Sequence, residues 1–95
     1  MSEAPDFSVD TVRDGIIDHV LSNFVCPFTK DTIPLDQSLV ELGVLDSYGM
    51  VELVSFLETN WSLAILDSEI TKEKMGSINK MVALVREKLA VSPSD

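Results

Sequence analysis

The sequence predicts an all-α protein, a small four-helix bundle with one long loop between its first and second helices. Three observations lead there. Apolar residues recur at spacings of three and four in three separate stretches, the period of a helix with one buried face. No stretch shows a convincing strand pattern. Helical period is lost over one long span, roughly Val25 to Leu45, where Pro27 and Pro34 fall. With 95 residues there is room for one domain, expected over residues 8–90 between a flexible N-terminus (1–7) and a flexible tail (91–95).

The first helix is expected from about Ser8 to Phe24. Val9, Val12, Ile16, Val20 and Phe24 form its stripe, Ile17 and Leu21 widen it, and Ser8 is a good N-cap. Gly15 weakens it somewhat. A twenty-residue connection is long for a compact domain. Ile33, Leu35, Leu39, Leu42 and Leu45 are the side chains able to pin it to the core. The second helix begins at Asp46-Ser47 and ends near Asn60, with Met50, Leu53, Leu57 and Trp61 facing inward. A short turn or helix follows around Asp67–Met75. The last helix runs from a Ser77 cap to Leu89 on the stripe Ile78, Met81, Val82, Val85 and Leu89. Arg86 and Lys88 suit its C-terminal end.

Composition narrows the function. Sixteen acidic against seven basic residues leave a net charge of −9, which opposes nucleic-acid phosphates and anionic membrane faces and favours basic protein partners. Residues 31–70 hold eight acids and no Lys or Arg, whereas residues 71–95 hold three acids and five bases. An acidic middle is either a solvated face or a docking surface. No apolar run of about 18 residues is present, so no membrane span is expected. The acidic N-terminus lacks a signal peptide's apolar centre, and the expected compartment is the cytoplasm. A single cysteine, Cys26, excludes a disulfide framework and a CxxC pair.

Catalytic groups are scarce. His19 is the one histidine, in mid-helix, where a surface or half-buried residue is the ordinary reading. No serine sits in a Gly-x-Ser-x-Gly elbow, no His/Cys cluster suits a transition metal, and no EF-hand loop is present. The informative stretch is Leu42-Gly43-Val44-Leu45-Asp46-Ser47-Tyr48-Gly49-Met50-Val51-Glu52-Leu53. In plain structural terms Gly43 allows a bend and Asp46 or Ser47 caps the helix that follows.

That stretch closely resembles the attachment motif of acyl and peptidyl carrier proteins: Leu-Gly, two apolar residues, Asp-Ser, then Val-Glu-Leu at 51–53. The likeness extends through Phe56-Leu57-Glu58 and Trp61, Ile65-Leu66-Asp67, and Glu69-Ile70-Thr71 to Met75-Gly76-Ser77-Ile78, and covers about residues 8–90. Two residues between the glycine and Asp-Ser, and Tyr48-Gly49 after it, look more like free-standing D-alanyl and specialised-pathway carriers than fatty-acid synthase carriers. The resemblance implies a four-helix bundle of the acyl-carrier-protein type, a non-catalytic stand-alone carrier. It implies a 4′-phosphopantetheine arm, derived from coenzyme A, on Ser47, with Gly43 and Asp46 as supporting motif residues. Cargo would ride as a thioester, an aminoacyl or short acyl group rather than a long chain. Implied partners are a phosphopantetheinyl transferase, an adenylating acyl or aminoacyl ligase and downstream acyl-processing enzymes; the carrier itself is expected to be a monomer. A helix N-terminus suits the arm's phosphate ester. The alternative is a small acidic helical adaptor without a prosthetic group, whose Ser47 is only a cap.

On a helical projection Tyr48, Val51, Glu52, Ser55 and Glu58 lie opposite the inward stripe. An apolar pair beside two acids, next to Ser47, is the expected partner-binding face. The competing expectation is that Tyr48 and Val51 pack beneath the long loop.

Overall fold

A computed structural model describes residues 8–90, and all secondary structure among them is helical. The elements are α1 (Val9–Asn23), α2 (Ser47–Trp61), a 3-10 turn (Asp67–Glu69), α3 (Lys72–Met75) and α4 (Ile78–Ala90). The expectations for residues 1–7 and 91–95 lie outside the described residues.

Each helix starts where a side chain can take an orphan N–H. The Ser8 hydroxyl accepts from the Thr11 amide at the head of α1, and Ser77 accepts from the Lys80 amide at the head of α4. The segment expected at 67–75 divides in two. Ile70 leaves helical geometry at ψ 71°, and Thr71 then opens α3 by accepting from the Lys74 amide.

The buried stripes meet in one core. Val12, Ile16, Ile17 and Val20 of α1 join Leu53, Val54, Leu57 and Trp61 of α2, Met75 of α3, and Ile78, Met81, Val82, Leu84 and Val85 of α4. Helix α4 packs against all three others. Full burial of one such aliphatic side chain is worth roughly 1.5–3 kcal/mol. Truncating completely buried Leu53 or Leu57 to alanine would cost ~2–5 kcal/mol. Met50, at the edge of the α2 stripe, is half-buried.

The long loop is pinned as its apolar spacing predicts. Ile33, Leu39, Val44 and Leu45 are buried, and Leu35 and Leu42 pack against the core. Its backbone is latched to the opposite end of the chain. The Leu39 amide donates to the Gly76 carbonyl (2.7 Å), and the Asn79 amide donates to the Leu35 carbonyl (2.9 Å). The Leu39 carbonyl in turn accepts from the amides of Val44 and Leu45. Lys72 of α3 reinforces this with a 2.6 Å contact to Glu41; it holds the Glu41 carboxyl below its ordinary range while its own ammonium is pushed up.

Candidate functional site: the first turn of α2

The chain enters α2 through a turn that only a residue without a side chain adopts easily. Gly43 has φ +80°, and a Cβ there would meet nothing within 4 Å, so backbone conformation rather than crowding calls for glycine. Val44 and Leu45 then bury together, which leaves Asp46 and Ser47 at the surface.

Asp46 is the N-cap. Its backbone is extended (φ −117°, ψ −170°), and its Oδ1 accepts from the Gly49 amide at 2.7 Å. Ser47 is therefore the first residue inside the helix, solvent-exposed, and its hydroxyl makes no hydrogen bond among the described residues. The amides of Ser47 and Tyr48, which precede any intrahelical acceptor, are likewise unpaired among the described residues. An exposed hydroxyl thus stands beside two N–H donors at the positive end of a fifteen-residue helix.

The turn is held in place from behind. Gly49 is buried, and a Cβ on it would stand 2.9 Å from Cε1 of Phe24 and 3.3 Å from Leu45 Cδ2. Phe24, the C-cap of α1, therefore rests directly on the α2 backbone two residues beyond the serine.

The outer side of α2 carries Tyr48 (87% exposed), Val51 (65% exposed), Glu52 and Ser55; the first two do not pack beneath the loop. Glu58 sits differently. It is half-buried, and its Oε2 accepts from the Ile65 amide at 2.8 Å, so it ties down the chain that leaves α2. Among the described residues no group of three or more His, Cys, Asp or Glu side chains is arranged to hold a metal.

Two features have no counterpart in the sequence reading. Phe24 has only its stripe position to mark it, with nothing to signal that it covers Gly49. His19 of α1 lies 2.9 Å from Glu52 of α2 and stacks on Phe56. Contacts between residues 33 positions apart leave no local signal.

No family model matches the chain. Among curated proteins it is 37% identical over 78 residues to a D-alanyl carrier protein of Streptococcus uberis, a match that covers 81% of this chain and 94% of the relative. D-alanyl carrier proteins of Streptococcus suis and Streptococcus thermophilus are each 38% identical over 53 residues, 56% of this chain and 67% of the relative. No helix of the described residues is long and apolar enough to cross a membrane. The helical bundle and a relative matched over nearly its full length agree: the chain belongs to the acyl and peptidyl carrier protein family, and it is a carrier rather than an enzyme.

Proposed function

We propose that the chain is a stand-alone cytoplasmic carrier that holds its cargo as a thioester on a 4′-phosphopantetheine arm attached to Ser47. The observation that carries this reading is the division of labour at the head of α2: Asp46 caps the helix, so the Ser47 hydroxyl is exposed and uncommitted. The residues present fit the arm. Its phosphate would lie beside the unpaired amides of Ser47 and Tyr48, where a helix N-terminus favours an anion.

Attachment forms a bond from Ser47 Oγ to phosphorus as the diphosphate linkage of coenzyme A breaks. The hydroxyl proton passes to a base of a phosphopantetheinyl transferase, and the adenosine bisphosphate portion leaves. The second carboxylate oxygen of Asp46 would be available to the transferase's Mg²⁺ or to a basic residue of that enzyme. When attached, the arm supplies a terminal thiol for thioester chemistry, while the protein contributes tethering, an effective-concentration gain for each enzyme it visits. The cargo is aminoacyl or short acyl, with D-alanine the first candidate because the curated relatives carry that name. Gly43-Val44-Leu45-Asp46-Ser47-Tyr48-Gly49 supports the same class. An adenylating ligase is the loading partner, and Tyr48, Val51, Glu52 and Ser55 form the docking face, with Glu58 at its margin. The competing adaptor reading loses its structural use for Ser47, since the place of the cap is filled by Asp46.

Intact mass spectrometry tests the proposal. After incubation with coenzyme A, Mg²⁺ and a broad-specificity phosphopantetheinyl transferase, the chain gains one phosphopantetheinyl group and the Ser47→Ala variant gains none. An unmodified wild-type chain, or a modified alanine variant, would overturn the assignment.

A further inference from the structure

We infer that His19 is a positioning residue for Glu52, holding that carboxylate in place as the negative rim of the surface on which a basic partner docks. The inference rests on the carrier reading above and extends the docking surface from α2 onto α1.

The His19 side chain is only 12% exposed. Its ring stacks on Phe56 with centroids 3.8 Å apart and planes inclined by 14°, and it meets Phe24 edge-on at 6.1 Å. These two aromatics fix the plane of the imidazole. Asn23, one turn along α1, fixes its proton. The Asn23 Nδ2 donates to the His19 carbonyl at 2.9 Å and lies 3.2 Å from Nδ1 of the ring. An amide NH₂ can only donate, so Nδ1 is the acceptor and the ring proton is on Nε2. Nε2–H then donates to Glu52 Oε1 at 2.9 Å.

Glu52 gains a defined geometry from this arrangement while its side chain stays 51% exposed. A glutamate free to rotate loses that freedom when it is captured by a partner; one already held does not. The shallow, open surface beside it is lined by His19, Glu52, Ser55, Phe56, Thr59 and Asn60. It offers an ammonium or guanidinium group one carboxylate, two hydroxyls and an amide. No lysine or arginine of residues 31–70 competes for that carboxylate. The partner this surface fits is therefore a protein that presents a basic side chain toward the middle of α2 while it engages Ser47.

The test uses the full chain as substrate for a broad-specificity phosphopantetheinyl transferase with coenzyme A. His19→Phe keeps a ring to stack on Phe56 and deletes the donor. It should raise the KM for the carrier about threefold to tenfold at unchanged kcat, the range expected for immobilising one side chain. Glu52→Gln should raise KM comparably, with little further loss in the double variant. His19→Gln, which restores an N–H, should recover part of the loss. Nitrogen-15 correlation spectra of the ring should show the Nε2–H tautomer, weakened in Asn23→Ala.

A folded His19→Phe chain with wild-type KM, a raised KM that His19→Gln does not relieve, or an Nδ1–H tautomer in the wild type would each overturn the inference. Should His19→Phe not fold, exposed Asn23→Ala takes its place in the same KM comparison, with a rise expected and no change refuting. A wild-type chain that gains no mass removes the carrier reading and this inference together. Normal modification with an unmoved KM removes the inference alone.

Discussion

Replacing Asp46 and Ser47 by alanine, one at a time, separates two neighbouring residues that are both good helix caps by composition. In the structure only Asp46 caps, through a 2.7 Å bond from the Gly49 amide to Oδ1. Losing such a cap costs ~1 kcal/mol, within a range of roughly 0.5–2 kcal/mol. Its negative charge at the helix N-terminus adds a few tenths to ~1 kcal/mol, partly cancelled by the other acids of the middle segment. For a domain of this size ~1 kcal/mol lowers the melting temperature by about 4–8 °C. Ser47 makes no side-chain hydrogen bond among the described residues and is exposed, so Ser47→Ala should change stability by no more than ~0.5 kcal/mol. Asp46→Asn keeps an acceptor and loses only the charge, so it should fall between wild type and Asp46→Ala. Thermal melts by circular dichroism at matched concentration and salt give the ranking. If Ser47→Ala loses as much as Asp46→Ala, the serine hydroxyl is the cap and the argument for its availability collapses.

Three further outcomes are expected. Gly43→Ala should destabilise by about 1–2 kcal/mol, because φ +80° strains an L-residue, and Gly43→Asn by less; equal urea midpoints for all three chains would contradict the turn geometry. Glu52→Lys should slow partner reaction in a salt-sensitive way with stability within ~0.5 kcal/mol of wild type, and Val51→Asp should impair reaction without unfolding the chain; a Val51→Asp protein that no longer melts cooperatively would place Val51 in the core. Glu69 is held below its ordinary carboxyl range by its hydrogen bond to Lys88, then by the Leu66 amide, so its contribution is present above the ordinary carboxylate value and is lost as pH falls through the lowered one. Glu69→Gln should therefore melt below wild type at neutral pH and converge with it in acid, and a gap that persists in acid would mean packing, not charge, is lost.

How much of this was legible in the sequence depends on the range of each interaction. The stripes of α1, α2 and α4 and the caps at Ser8 and Ser77 are local patterns, and the chain folds as they indicate except at Val9, which the first turn of α1 leaves exposed. Leu39 and Leu45 were readable as loop pins because an apolar residue in a polar stretch has few other uses. The choice between Asp46 and Ser47 was not readable, since both side chains satisfy the same preference and only the path through Gly43 decides which one starts the helix. Nor was the role of Glu58. From its helical position it belongs with Glu52, yet the chain beyond Trp61 doubles back through Ser62, at φ 55°, and brings the Ile65 amide to its carboxylate. The His19–Glu52 contact depends on how α1 and α2 come together, which no window of either helix contains.

The latch from Leu39 to Gly76 bears on the order in which the molecule assembles. A bundle of local helices would fold rapidly from near-neighbour contacts, but this bond joins points separated by more than a third of the chain, and its loop must close against chain entropy before the bond repays it. The Val44 and Leu45 amides bond to the carbonyl of the same residue whose amide makes the latch, so the approach to Asp46 and the long-range closure share Leu39. The platform beneath Ser47 is in this sense a joint product: local turns shape it, and a bond from the far side of the sequence anchors the residue from which those turns hang.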